Sequence, residues 1–225
     1  MTVQGKLENA LAALLHRQVL TCASSRTDAG VHALGQRVSF FAPDLRVPID
    51  KLPMVLVGML PLDISVVAAE VVPESFNPQF DAKFKTYAYR MYSAPCPNPL
   101  MRRYSAFVPQ KLNIESMQKA AGHFAGRHDF AAFCASGSGA KTTVREMYDC
   151  SVDLAQSTYT LTITGNGFLY NMVRIVAGTI LYAGMEKIHP EDVPIIIASK
   201  DRKRAGKTMP PEGLTLLEVG YSPNK

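Results

Sequence analysis

The chain opens on a helical rhythm. In VQGKLENALAALLHR, Val3, Leu7, Leu11, Leu14 and Leu15 fall on one stripe with polar residues opposite, which predicts an amphipathic surface helix. The period then changes. Val19 to Ala23 and Gln36 to Phe41 read as strands, and SSRTDAGVHALG between them is rich in turn formers, so it is expected as a loop held by strands. A second helix is expected within Ile49 to Leu60 despite Pro53 near its start, and Ile64 to Val72 is β-rich.

Pro73 to Pro78 reads as a connection, and beyond it FKTYAYRMY has the aromatic, alternating character of a long strand. A domain boundary is therefore expected here, dividing the chain into residues 1–75, with the SSRTDAGVH loop, and residues 76–225. Asn113 can cap a helix running to about His123, and ASGSGAKTT is a polar, glycine-containing loop. Two strands should follow. In the second, Tyr159, Leu161 and Ile163 alternate with Thr158, Thr160, Thr162 and Thr164, a half-buried pattern stopped by Gly165, Asn166 and Gly167. A long helix is expected from Phe168 to about Ala183, a shorter one after Pro190, and a closing strand from Leu214 to Val219. The alternation in both parts predicts two sheet-and-helix halves facing a cleft.

No apolar run approaches the roughly 20 residues needed to span a bilayer. No basic segment followed by a long apolar core and a small-residue cleavage site stands at the N-terminus, so a cytoplasmic protein is expected. Cys22, Cys96, Cys134 and Cys150 are scattered as in a chain of free thiols, and His16, His32, His123, His128 and His189 lack metal-ligand spacing. No metal is expected. A net charge of +5 suits a polyanionic partner, and the basic residues cluster at Lys83, Lys85 and Arg90 and again at Lys200, Arg202, Lys203, Arg204 and Lys207. Such clusters are either solvated faces or surfaces that track RNA.

SSRTDAGVH brings a cation, a hydroxyl, a carboxylate and a glycine into one exposed turn. Asp28 in it reads either as a group facing a pocket or as a turn residue whose carboxylate bonds local amides. Arg174 lies in FLYNMVRIVAGTI with apolar neighbours on most sides, so it needs a partner or must reach solvent. Its helical face also carries Tyr170, Asn171, Ala177 and Gly178, the last two leaving room for another group to approach. Tyr87 shares a strand face with Lys83, Lys85 and Tyr89, as a nucleotide-stacking face would, although Tyr89 reads better as a core tyrosine with a bonded hydroxyl. GSGAKTT lacks the glycine spacing of a phosphate-binding loop, since Ala140 precedes Lys141.

RTDAGVHALGQ closely resembles the signature of the TruA family of tRNA pseudouridine synthases. The resemblance continues in order through VQGKLENAL, FKTYAYRMY, GFLYNMVRIVAGTI and MPPEGLTLLEVGY. It implies an α+β fold of two ferredoxin/RRM-like halves around a central cleft, and an enzyme that isomerises uridine in the anticodon arm of tRNA as a homodimer. It makes Asp28 the catalytic aspartate, Arg26 the neighbour that contacts RNA and helps hold the base out of the stack, and Tyr87 the ring that stacks on the uracil. Arg174 matches the arginine that pairs with the aspartate, and Leu214 the apolar residue lining the base pocket. No cofactor is implied, because the isomerisation has no net redox change and takes up no external group. Family members usually begin with a strand bearing Tyr-Asp-Gly-Thr and a Gly-Trp-Gln segment. This chain starts inside the following helix and contains no tryptophan, so the first strand is expected to be missing. A tRNA-binding homologue without turnover is the competing expectation.

Overall fold

Thr2 starts the first helix, its hydroxyl accepting from the Gly5 amide at 3.1 Å, and α1 (Val3–Leu15) runs until His16 turns left-handed at φ 53°. The computed structural model describes residues 2–222, and the chain within it forms two units. The first contains residues up to 25 together with 37–81. In it, β1 (Thr21–Ala23) pairs antiparallel with β3 (Val38–Phe40), and Glu8 ties α1 to β1 by accepting from the Thr21 amide and hydroxyl at 3.1 and 2.9 Å. α2 (Leu52–Val57) tolerates Pro53 because the first helical turn needs no amide there. Its Leu52 and Leu56 pack with Leu11 and Val19 as the small core of this unit.

Ile64 to Val72 forms no strand among the described residues, contrary to its β-rich reading. Ile64, Val66 and Ala69 are half-buried, but Val67 and Val71 are more than four-fifths exposed. Composition favours the pleat, whereas a strand exists only where a neighbour completes its ladder.

The second unit contains residues 26–36 and the chain from 82 onward. Its sheet is built around β4 (Phe84–Ser93), flanked antiparallel by β8 (Thr158–Gly165) and β9 (Leu214–Gly220). β7 (Val144–Ala155) and β6 (Gly126–Asp129) extend it beyond β8, while β2 (His32–Ala33) lies parallel to β9 at the other edge. β5 (Ala106–Val108) pairs in parallel with the end of β4.

The period-2 reading of β8 holds: Tyr159, Leu161 and Ile163 are buried, facing the core with Tyr89 and Met91 of β4. α3 (Ile114–Gly122), capped by Asn113, and α4 (Met172–Gly184) supply the other side of that core, with α5 (Val193–Ser199) beside it. This is an α+β architecture, as expected. No helix among the described residues is long and apolar enough to cross a membrane.

α4 begins at Met172, later than the Phe168 expected from sequence. Asn171, just before it, is left-handed at φ 58°, a conformation that asparagine tolerates better than most residues. The chain therefore enters the helix through a bend, which sets how the first turn presents its side chains.

Candidate active site

The Asp-Ala-Gly turn forms as its residue types dictate. The Val31 amide donates to the Asp28 carbonyl at 3.0 Å, and Gly30 takes φ 85°, the positive value needed at the third position of a type II turn. A side chain on Gly30 would also meet the Pro211 ring at 3.0 Å. The following residues are lashed to the sheet edge: His32 and Ala33 pair with Thr215 and Leu216, and the Leu34 amide donates to Leu216 at 2.8 Å. Gly35 lies so close to β9 that a Cβ there would stand 2.3 Å from the Leu217 carbonyl oxygen. The loop is thus held on β9 at several points. Its backbone makes the turn, and the Asp28 carboxylate makes a different bond.

That bond goes to Arg174. The Asp28 Oδ2 accepts from Arg174 Nη1 at 3.0 Å, with the arginine side chain 15% exposed and the aspartate 35%. Arg174 does not reach out to solvent. Its Nε donates to the Met209 carbonyl at 2.6 Å, and Nη1 also donates to Asn171 Oδ1 at 2.7 Å. Three acceptors from three parts of the unit therefore fix one guanidinium, which suits its planar array of donors. The left-handed bend at Asn171 places one of them, and the segment before β9 places another.

A close backbone contact secures that segment. Gly206 abuts α4, where a Cβ on it would be 2.3 Å from Gly178, and a Cβ on Gly178 would be 1.9 Å from the Lys207 carbonyl oxygen. The room that Gly178 leaves on the Arg174 face is taken by this strand of backbone. The Gly206 amide donates to the buried Thr179 hydroxyl at 2.8 Å, and Arg202 donates to the Gly206 carbonyl and the Thr208 hydroxyl at 2.9 and 3.0 Å. The Met209 amide in turn donates to the Arg174 carbonyl at 3.1 Å, so helix and segment are locked together at the level of the ion pair.

The other expected site residues lie on the same unit. Leu214 begins β9 directly across from Tyr89 of β4, and Tyr87 is opposite Leu216 and Ile163. Tyr87 is 7% exposed, with its ring edge-on to Phe168 at 5.0 Å between centroids. Arg26 is exposed at the start of the loop. Tyr89 is the core tyrosine with a bonded hydroxyl that its surroundings suggested, donating to the Pro210 carbonyl at 2.7 Å. Burial pushes its phenol far above the ordinary range, with Glu212 acting in the same direction and Arg174 opposing. Burial also lowers the Lys85 ammonium from its ordinary value. The sequence reading did not single out Asn171 or the Met209 carbonyl as partners of Arg174. For Asn171 the signal was its position three residues before the arginine; the carbonyl had none.

These features belong to a recognisable group of proteins. Residues 120–222 match the family model described as tRNA pseudouridine synthase. Over 221 residues the chain is 46% identical to the tRNA pseudouridine synthase A of Ruminiclostridium cellulolyticum, covering 98% of this chain and 90% of that protein. The proteins of the same name from Caldicellulosiruptor bescii and Acetivibrio thermocellus are 44% and 45% identical over 220 residues, with the same coverage. The similarity extends over both units, so the turn bearing Asp28 and the helix bearing Arg174 both lie within it, and the chain belongs to the tRNA pseudouridine synthase family.

Proposed function

We propose that this protein isomerises uridine to pseudouridine in the anticodon arm of tRNA, with Asp28 as the catalytic carboxylate, and acts as a cytoplasmic homodimer. The observation that carries the reading is the ion pair between Asp28 and Arg174, formed by the RTDAGVH turn and the first turn of α4. The reaction breaks the bond between the ribose and N1, turns the uracil and rejoins it through C5, with the C5 proton lost and N1 protonated. It therefore requires a carboxylate that can act as nucleophile or base. Arg174 engages Oδ2 of Asp28, which leaves Oδ1 as the oxygen for chemistry. A target base inside a structured arm must first leave its stack, at a cost of a few kcal/mol. Arg26 and Tyr87 are the residues proposed to hold it out, and Leu214 to line its pocket.

The test is incubation with total tRNA followed by carbodiimide mapping of pseudouridine. Wild type should modify the anticodon arm, and Asp28→Asn, which can still accept from Arg174, should bind RNA but form no pseudouridine. Turnover within about tenfold of wild type, roughly 1.4 kcal/mol of barrier, would remove Asp28 from the chemistry. A wild-type protein that bound tRNA and left it unmodified would be a binding homologue.

A further inference from the structure

We propose that Tyr104, backed by His32 and flanked by Arg102 and Arg103, forms a stacking subsite for the unpaired RNA base next to the target uridine. The inference rests on the reading of the chain as an RNA uridine isomerase and adds a second point of contact to it. The segment between β4 and β5 is tightly built. The Asn98 amide donates to the Tyr92 hydroxyl at 2.8 Å, the Leu100 amide to Asn98 Oδ1 at 3.0 Å and the Met101 amide to the Asn98 carbonyl at 3.1 Å. The Tyr104 amide then donates to the Met101 carbonyl at 3.0 Å.

This ordered turn nevertheless leaves the Tyr104 ring 60% exposed and both arginines exposed. A large aromatic held in place yet left in water, beside two cations, combines a stacking surface with phosphate-binding charge.

His32 joins this turn to the catalytic loop. Its ring lies 4.9 Å from that of Tyr104 at an interplanar angle of 31°, and its Nε2 is 2.6 Å from the Arg103 carbonyl. A carbonyl can only accept, so Nε2 carries the proton in this bond. His32 is four residues beyond Asp28 and pairs with Thr215, the neighbour of Leu214 on β9. The aromatic pair thus stands at the edge of the sheet, beside the loop that carries Asp28. When a uridine leaves its stack, the adjacent base loses a stacking partner, and an exposed ring at this place can replace it. Any base can stack, so the subsite selects for an unpaired neighbour rather than for its identity.

The experiment is a cycle between protein and RNA. Pseudouridine formation is measured for wild type, Tyr104→Ala and Tyr104→Phe on three anticodon stem-loops: intact, abasic on the 5′ side of the target, and abasic on the 3′ side. Tyr104→Ala should lower kcat/KM on the intact RNA by about tenfold, while Tyr104→Phe should stay within about twofold because the ring is retained. On one abasic RNA, wild type and Tyr104→Ala should become equal, since the base that the ring served is gone. An unchanged rate for Tyr104→Ala on intact RNA, or the same loss on all three RNAs, would overturn the subsite. If wild type forms no pseudouridine on the intact RNA, the isomerase reading fails. The same cycle read as binding by fluorescence anisotropy then still decides whether Tyr104 stacks on a base.

Discussion

Arg174 can be removed from its three acceptors at once by Arg174→Met, which keeps a long unbranched side chain in the same apolar helix. The substitution strands the Met209 carbonyl and the Asn171 amide oxygen and leaves Asp28 without its cation. Breaking a fully buried pair from one side costs about 3–5 kcal/mol. Asp28 is 35% exposed, so water can take over part of the guanidinium's role there and the loss should fall at the lower end. We expect a destabilisation of about 3 kcal/mol, which for a chain of this length lowers Tm by about 6–12 °C. Arg174→Lys keeps the charge, but one ammonium cannot match a fork of donors, so it should lose about half as much. In turnover assays on folded protein, kcat should fall by at least about 100-fold in Arg174→Met, the scale of a displaced catalytic group. RNA affinity should change far less. Thermal melts followed by carbodiimide mapping of pseudouridine measure both effects. A variant with wild-type Tm and turnover would refute the three-acceptor account, because it would show that none of these bonds holds Asp28 or the helix in place.

Gly178→Ala should destabilise the protein by about 3 kcal/mol or more, read in urea unfolding, because its methyl would meet the Lys207 carbonyl oxygen at 1.9 Å. Survivors should be poorly active, since the same contact positions the Met209 carbonyl against Arg174. Asp129 is held below its ordinary carboxyl value of 3.8, first by the Lys200 ammonium at 2.8 Å and then by the Thr143 hydroxyl. A carboxyl lowered in the folded state contributes stability above its unfolded pKa and loses it as pH falls through the folded one. The Tm difference between wild type and Asp129→Asn should therefore be largest near about pH 7 and shrink toward about pH 3; a difference that grew on acidification would contradict the pairing. The Ser105 hydroxyl is buried without a hydrogen-bond partner among the described residues. Ser105→Ala should leave the melting temperature unchanged or raise it by an amount equivalent to about 1 kcal/mol, and a clear drop in calorimetry would show that the hydroxyl is satisfied.

What could be read along the chain was local. The alternation in β8, the Asn113 cap, the Asp-Ala-Gly turn and the apolar surroundings of Arg174 depend on neighbours a few residues away, so the residue order itself carries them. The resemblance of whole motifs added the expectation that Arg174 pairs with Asp28. Tertiary structure decided the rest. Arg174 and Asp28 are 146 positions apart, and their approach depends on the loop pairing with β9 and on two glycines letting the 206–209 segment lie against α4. A backbone carbonyl such as that of Met209 has no side-chain signature, so its role appears only once the chain has closed around it. The same reason explains Ile64 to Val72, where β-forming residues make no strand. Residue type determines what a segment can do locally, but a ladder or an ion pair also needs its other half, and only the folded chain supplies it.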